Sequence, residues 1–129
     1  MKVYENKKFI TVTLEDSPKK HLLYSWTKTY ITLDEFKEMH LTAIQSIKSN
    51  GITSLISDSS SVTDVPTDAC KEWLGKDLIP LMAEAGVKRL ITVVPQTALG
   101  RLGTKSWQQQ VLGIDLYDVK SKEEAYSLI

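Results

Sequence analysis

The sequence predicts an α/β fold: a single mixed, mostly parallel sheet of about five strands, flanked by about four helices and opening with an antiparallel hairpin. Three observations predict it. Apolar residues alternate in two early runs, Phe9, Ile10, Val12 and Leu14, then Leu22, Tyr24 and Trp26. The period changes to three- and four-residue steps at Leu33, Phe36, His40, Ala43, Ile44 and Ile47. Short apolar runs, ITSLIS and VKRLITVV, then follow, separated by further helical spacing.

Each element has its own warrant. Asp16, Ser17 and Pro18 supply turn chemistry between the first two runs, so these pair as a hairpin, with Val3 and Tyr4 added at its edge. Thr32 is placed to cap the first helix and Asn50-Gly51 to stop it. ITSLIS is rich enough in apolar residues for a central strand. Helical spacing resumes after Thr67, with Cys70, Trp73, Leu74, Leu78, Leu81, Met82 and Ala85 on one side and Gly86 at the end. Pro80 lacks an amide proton and crowds the preceding turn, so this helix kinks or divides near Asp77 to Ile79. VKRLITVV is a buried strand that ends at Pro95, and a helix is expected from about Thr97, weakened by Gly100 and Gly103. IDLYDV is the last strand. Ser121 and Glu124 spell a capping box for a short terminal helix. The economical packing is one sheet with helices against it, in one domain spanning residues 1–129.

Composition narrows the function classes. The chain is 42% hydrophobic and 25% charged, enough to bury a real core. Sixteen basic residues balance sixteen acidic ones without clustering, which disfavours nucleic acid as a partner. The opening MKVYENKKF has no apolar core of the signal-peptide kind, and no run approaches the ~20 apolar residues of a membrane span. The expectation is a cytoplasmic protein without membrane insertion, and the single cysteine excludes an internal disulfide.

No motif assembles a catalytic set or a cofactor site. His21 and His40 lack the spacing of a metal motif. His40 falls on the apolar stripe of the first helix, where a half-buried, hydrogen-bonded ring is the default, and His21 begins a strand. GRLGTKS departs from a phosphate loop in both glycine spacing and lysine position, leaving Arg101 and Lys105 as a solvated basic turn or, as the lesser alternative, an anion site with the amides near a helix start. Cys70 shares a helix face with Trp73 and Leu74 and reads as a buried structural thiol. Trp26, Trp73 and Trp107 read first as core filling. Trp73 and Trp107 together are the candidate wall of an apolar pocket.

The run WTKTYITLDEFKEMHLTAIQSIKSNGITSLISDSS, then EWLGKDLIPLMAEAGVKRLITVV and the closing LYDVKSKEEAYSLI, resemble a STAS domain of the SpoIIAA-like group, and within it uncharacterised bacterial proteins. The resemblance covers most of the chain and rests on packing and turn patterns. It implies a non-enzymatic regulatory module that engages a protein partner, or itself as a homodimer, through the loop 58–67 and the following helix. In the antagonists of that family a Ser or Thr at the start of the second helix is phosphorylated. Here Asp58-Ser59-Ser60 has the letters of that motif but sits at a strand end, whereas Thr67, or Asp64 as a fixed charge, holds the position. The alternative use of the same residues is structural, with Thr67 capping the helix and Asp58, Ser59 and Ser60 satisfying loop amides. By analogy with the related CRAL-TRIO architecture, the second expectation is a small apolar-ligand or lipid-binding protein with a pocket near Trp73 and Trp107.

Overall fold

A computed structural model describes residues 1–95 and 113–129. The expected helix after Thr97, with Gly100, Arg101, Gly103, Lys105 and Trp107, lies outside the described residues. Six strands form one sheet in chain order: β1 (Lys2–Asn6), β2 (Ile10–Glu15), β3 (His21–Trp26), β4 (Ser54–Asp58), β5 (Arg89–Val93) and β6 (Asp115–Val119). The first two pairings are antiparallel and the last three parallel. The fold class is the one the sequence predicts, with one refinement: Val3 and Tyr4 belong to a full edge strand, held by reciprocal bonds between the Met1 and Leu14 backbones.

Helix α1 (Leu33–Asn50) crosses from β3 to β4, and α2 (Asp68–Trp73) with α3 (Ile79–Ala85) crosses from β4 to β5. Both crossovers step the same way along the sheet. A common hand of crossover then places their helices on one face, and the packing agrees. Leu22, Tyr24 and Trp26 of β3, Leu55 of β4 and Leu90 of β5 share a core with Phe36, Met39, Ile44, Leu78 and Met82 from the helices. The alternate residues Leu23, Ile56, Ile91 and Val93 point to the opposite face, where Ala125 of α4 (Lys122–Tyr126) covers them. Because side chains alternate with period two, one short strand such as β4 feeds both layers.

Local chemistry sets the boundaries. Thr32 and Glu35 close a reciprocal capping box on α1, and Gly51 ends it with φ 63, its N–H reaching Ile47 O. Gly86 ends α3 at φ 111, a region that penalises any side chain. Between α2 and α3 the chain forms a π turn, Leu74–Leu78, with the Ile79 N–H bonding Leu74 O five residues back. Pro80 follows at once. It has no N–H for the regular ladder, and the widened turn before it absorbs the mismatch, so the expected break takes the form of a π bulge. Ser121 caps α4 by accepting from the Glu124 N–H at 3.3 Å.

Candidate functional site

Among the described strands the order never reverses, so they offer no topological switch point at which a ligand crevice would open between oppositely wound halves. A cavity forms instead between the sheet and its helical layer, with a volume of about 70 Å³. That exceeds the roughly 10–15 Å³ a single water needs and is about half the ~150 Å³ of a cavity known to hold benzene. Its floor is Tyr24, Trp26, Leu55 and Ser57, near the carboxyl ends of β3 and β4, where Tyr24 lies beside Ser57 in the parallel register. Its walls are Phe36 and His40 of α1 and Leu74, Leu78, Ile79 and Met82. The last four span the π turn, which widens the helix where it borders the hollow.

His40 stands at the centre of an aromatic cluster. Phe36 meets it edge-on at 4.4 Å between ring centroids, and Tyr24, Trp26 and Trp73 lie at 5.8, 6.0 and 6.3 Å. The spacing that produces this is legible in α1, since residues four apart share one helix face, and in β3, where Tyr24 and Trp26 share a side of the pleat. Trp26 directs its indole N–H to Ser57 Oγ at 3.1 Å and is thereby fixed against the floor.

Two residues here break the rule that buried polar groups are partnered. The Tyr24 hydroxyl and both ring nitrogens of His40 are buried with no hydrogen-bond partner among the described residues. Tyr24 is 2% exposed and His40 4%. Orphaned groups of this kind each cost about 1–3 kcal/mol. Burial pushes the His40 ring down to about 3, so the imidazole is neutral, and pushes the Tyr24 phenol far above its ordinary range, so it keeps its proton. The expected half-buried, hydrogen-bonded His40 is thus corrected: four aromatic rings surround it, and none offers an acceptor or donor to its nitrogens.

Residues of the hydroxyl-rich loop line the cavity: Ser59, Val62, Asp64 and Pro66 do so together with Lys71 and Thr29. Asp58 Oδ1 accepts from Ser60 N–H at 3.1 Å and from Ser60 Oγ–H at 2.7 Å, a local turn. Ser59 is buried and donates its N–H to Val93 O. Asp64 reaches across to the β3–α1 connection, accepting from Thr29 N–H, Thr29 Oγ–H and Tyr30 N–H at 2.9, 2.7 and 3.1 Å. Desolvation raises this carboxyl, but the three bonds outweigh it and hold the group below the usual range. Thr67 caps α2, its Oγ1 accepting from Cys70 N–H at 3.1 Å. Thr67→Ala is therefore expected to lower stability by about 1 kcal/mol, read by urea denaturation, with Thr67→Ser retaining most of it.

Of the two tryptophans expected to wall the pocket, Trp73 lies behind it. Its ring packs edge-on against Phe36 at 5.9 Å, with the Lys37 Nζ 5.9 Å from its centroid. Trp107 lies outside the described residues. Cys70 is buried, its Sγ 3.6 Å from Ile31 O, and burial raises the thiol.

His21 has a different environment on the far face. It is fully buried, with Nδ1 2.6 Å from Lys19 O and Nε2 2.8 Å from Glu15 Oε1, and the Tyr126 hydroxyl donates to the same carboxylate oxygen at 2.8 Å. These bonds tie the opening hairpin to α4. Every polar atom of the His21 ring is engaged, which sets it apart from His40.

Among the described residues no group of three or more His, Cys, Asp or Glu side chains is placed to hold a metal ion, and no helix is long and apolar enough to cross a membrane. No protein-family model matches the chain, and no curated protein sequence shows significant similarity to it.

Proposed function

We propose that this chain is a small-ligand-binding module without catalytic activity, which takes its ligand into the cavity between β3, β4 and the α1 and α2–α3 layer. The observation that carries this reading is the coincidence of a hollow with three unpartnered polar atoms, the Tyr24 hydroxyl and the two His40 nitrogens. Apolar walls with a few polar groups are the composition of binding pockets in general. A site optimised for stability alone would carry Phe and Leu at these two positions.

Native mass spectrometry of freshly purified protein, followed by fragment titration monitored by amide chemical shifts, tests the proposal. The expected result is a small-molecule adduct or a saturable fragment response at the Tyr24, Phe36, His40 and Ser57 amides, weakened for polar fragments in Tyr24→Phe and His40→Leu. A bare mass together with unmoved shifts across a broad fragment set would refute it.

A regulatory reading of STAS type is compatible with the same site. Ser59, Val62, Asp64 and Pro66 belong both to the cavity lining and to the loop 58–67 through which that family resemblance implies a protein partner or homodimer. Occupancy of the cavity and the arrangement of Asp58, Ser59, Ser60, Asp64 and Thr67 are then linked, and the partner reads the ligand. A discrete dimer or a captured partner whose yield depends on added ligand supports this extension.

A further inference from the structure

We infer that the cavity selects an uncharged amide-type group, a carboxamide, urea or lactam, over an ionised carboxylate of the same shape. The inference rests on the ligand-binding reading above and adds the chemistry of the ligand's buried end.

Three features of the pocket lead to it. A neutral imidazole offers one N–H donor and one lone pair on opposite edges of its ring, and the Tyr24 hydroxyl serves as either. Satisfying these atoms takes donors as well as acceptors, so a ligand that carries both on separate heteroatoms can meet more of them than one that carries acceptors alone. A carboxylate carries acceptors only and leaves the imidazole lone pair unmet.

Charge is the second feature. The rings around His40 are Tyr24, Trp26, Phe36 and Trp73, none of them ionic. In the lining Asp64 is already engaged by Thr29 and Tyr30, and Lys71 Nζ lies 3.5 Å from Asp68. An anion in the hollow would lose its hydration, and among the described residues the one cation lining it, Lys71, already pairs with Asp68.

The third feature is size. About 70 Å³ holds only a compact head group.

Propionamide and propionate, an isosteric pair, are titrated into the full chain at pH 7 with amide shifts as the readout, and xenon serves as a purely apolar probe of the same hollow. Propionamide is expected to bind at least about ten-fold more tightly than propionate, because the charged partner leaves a buried ion unpaired. Tyr24→Phe and His40→Leu each weaken propionamide by about ten-fold while the xenon response persists, which separates loss of the polar contacts from loss of the fold. If xenon shifts these amides but propionate binds as well as propionamide, the inference is overturned and the pocket reading stands. If none of the three probes shifts them, both are overturned.

Discussion

Lowering the pH from 7 to 4 is expected to weaken the fold by on the order of 3 kcal/mol through His40 alone, and His40→Leu is expected to abolish that share of the loss. The unfolded chain protonates this ring near its ordinary value of 6.5, whereas the native ring stays neutral down to about 3 because burial disfavours the charged form. Between those values the unfolded state binds more protons than the native one, so stability falls as pH falls, by about 1.4 kcal/mol per unit. Above the upper value the ring contributes no slope. Below the lower one the slope vanishes again. Urea denaturation of the wild type and the Leu variant at pH 7, 5 and 4 isolates the effect from the general protonation of carboxylates, since both proteins share those. Parallel stability curves for the two would show that His40 is not buried as a neutral ring. At pH 7 the Leu variant should equal or exceed the wild type by about 1 kcal/mol, because two orphaned nitrogens have been replaced by apolar surface of similar volume. Gaining stability while losing ligand response would mark His40 as retained for binding.

Asp64→Ala should destabilise the protein by about 3 kcal/mol. Its carboxylate accepts three hydrogen bonds from the segment before α1, and removing it leaves the backbone N–H groups of Thr29 and Tyr30 without their acceptor. Asp64→Asn keeps one acceptor oxygen and should cost about 1 kcal/mol. Hydrogen exchange at Thr29 and Tyr30 offers the local readout: both amides should exchange much faster in the Ala variant, while those of β4 change only with global stability. An Ala variant within 0.5 kcal/mol of wild type, with Thr29 still protected, would mean that the loop is held by other contacts. Because Asp64 also lines the cavity, the same variant should loosen ligand retention.

The periodic segments are legible in the sequence. Phe36, His40, Ala43, Ile44 and Ile47 fall on one stripe because an α-helix returns to the same face every three or four residues, and each of them is buried. The Gly51 and Gly86 stops, the Thr67 cap and the break ahead of Pro80 were readable for the same reason: each depends on backbone chemistry within five residues. The site was only partly legible. Asp58, Ser60 and Thr67 make the local bonds that their positions suggest, but nothing in the sequence places Asp64 against Thr29, a bond that spans thirty-five residues. His40 was the largest miss. A helical stripe says that a ring is turned inward, not whether a partner waits there, and the signal that could have found it was the second stripe, Tyr24 and Trp26, on a strand joined to the same helix.

By itself, the sequence determined the element types, their order and the faces they bury, because periodicity, caps and breakers act through neighbouring residues. Tertiary structure alone decided that Tyr24, Trp26, Phe36 and His40 converge around a hollow in which three polar atoms find no partner among the described residues. Whether a buried group is satisfied depends on atoms contributed by other elements, and that count exists only once the layers are packed.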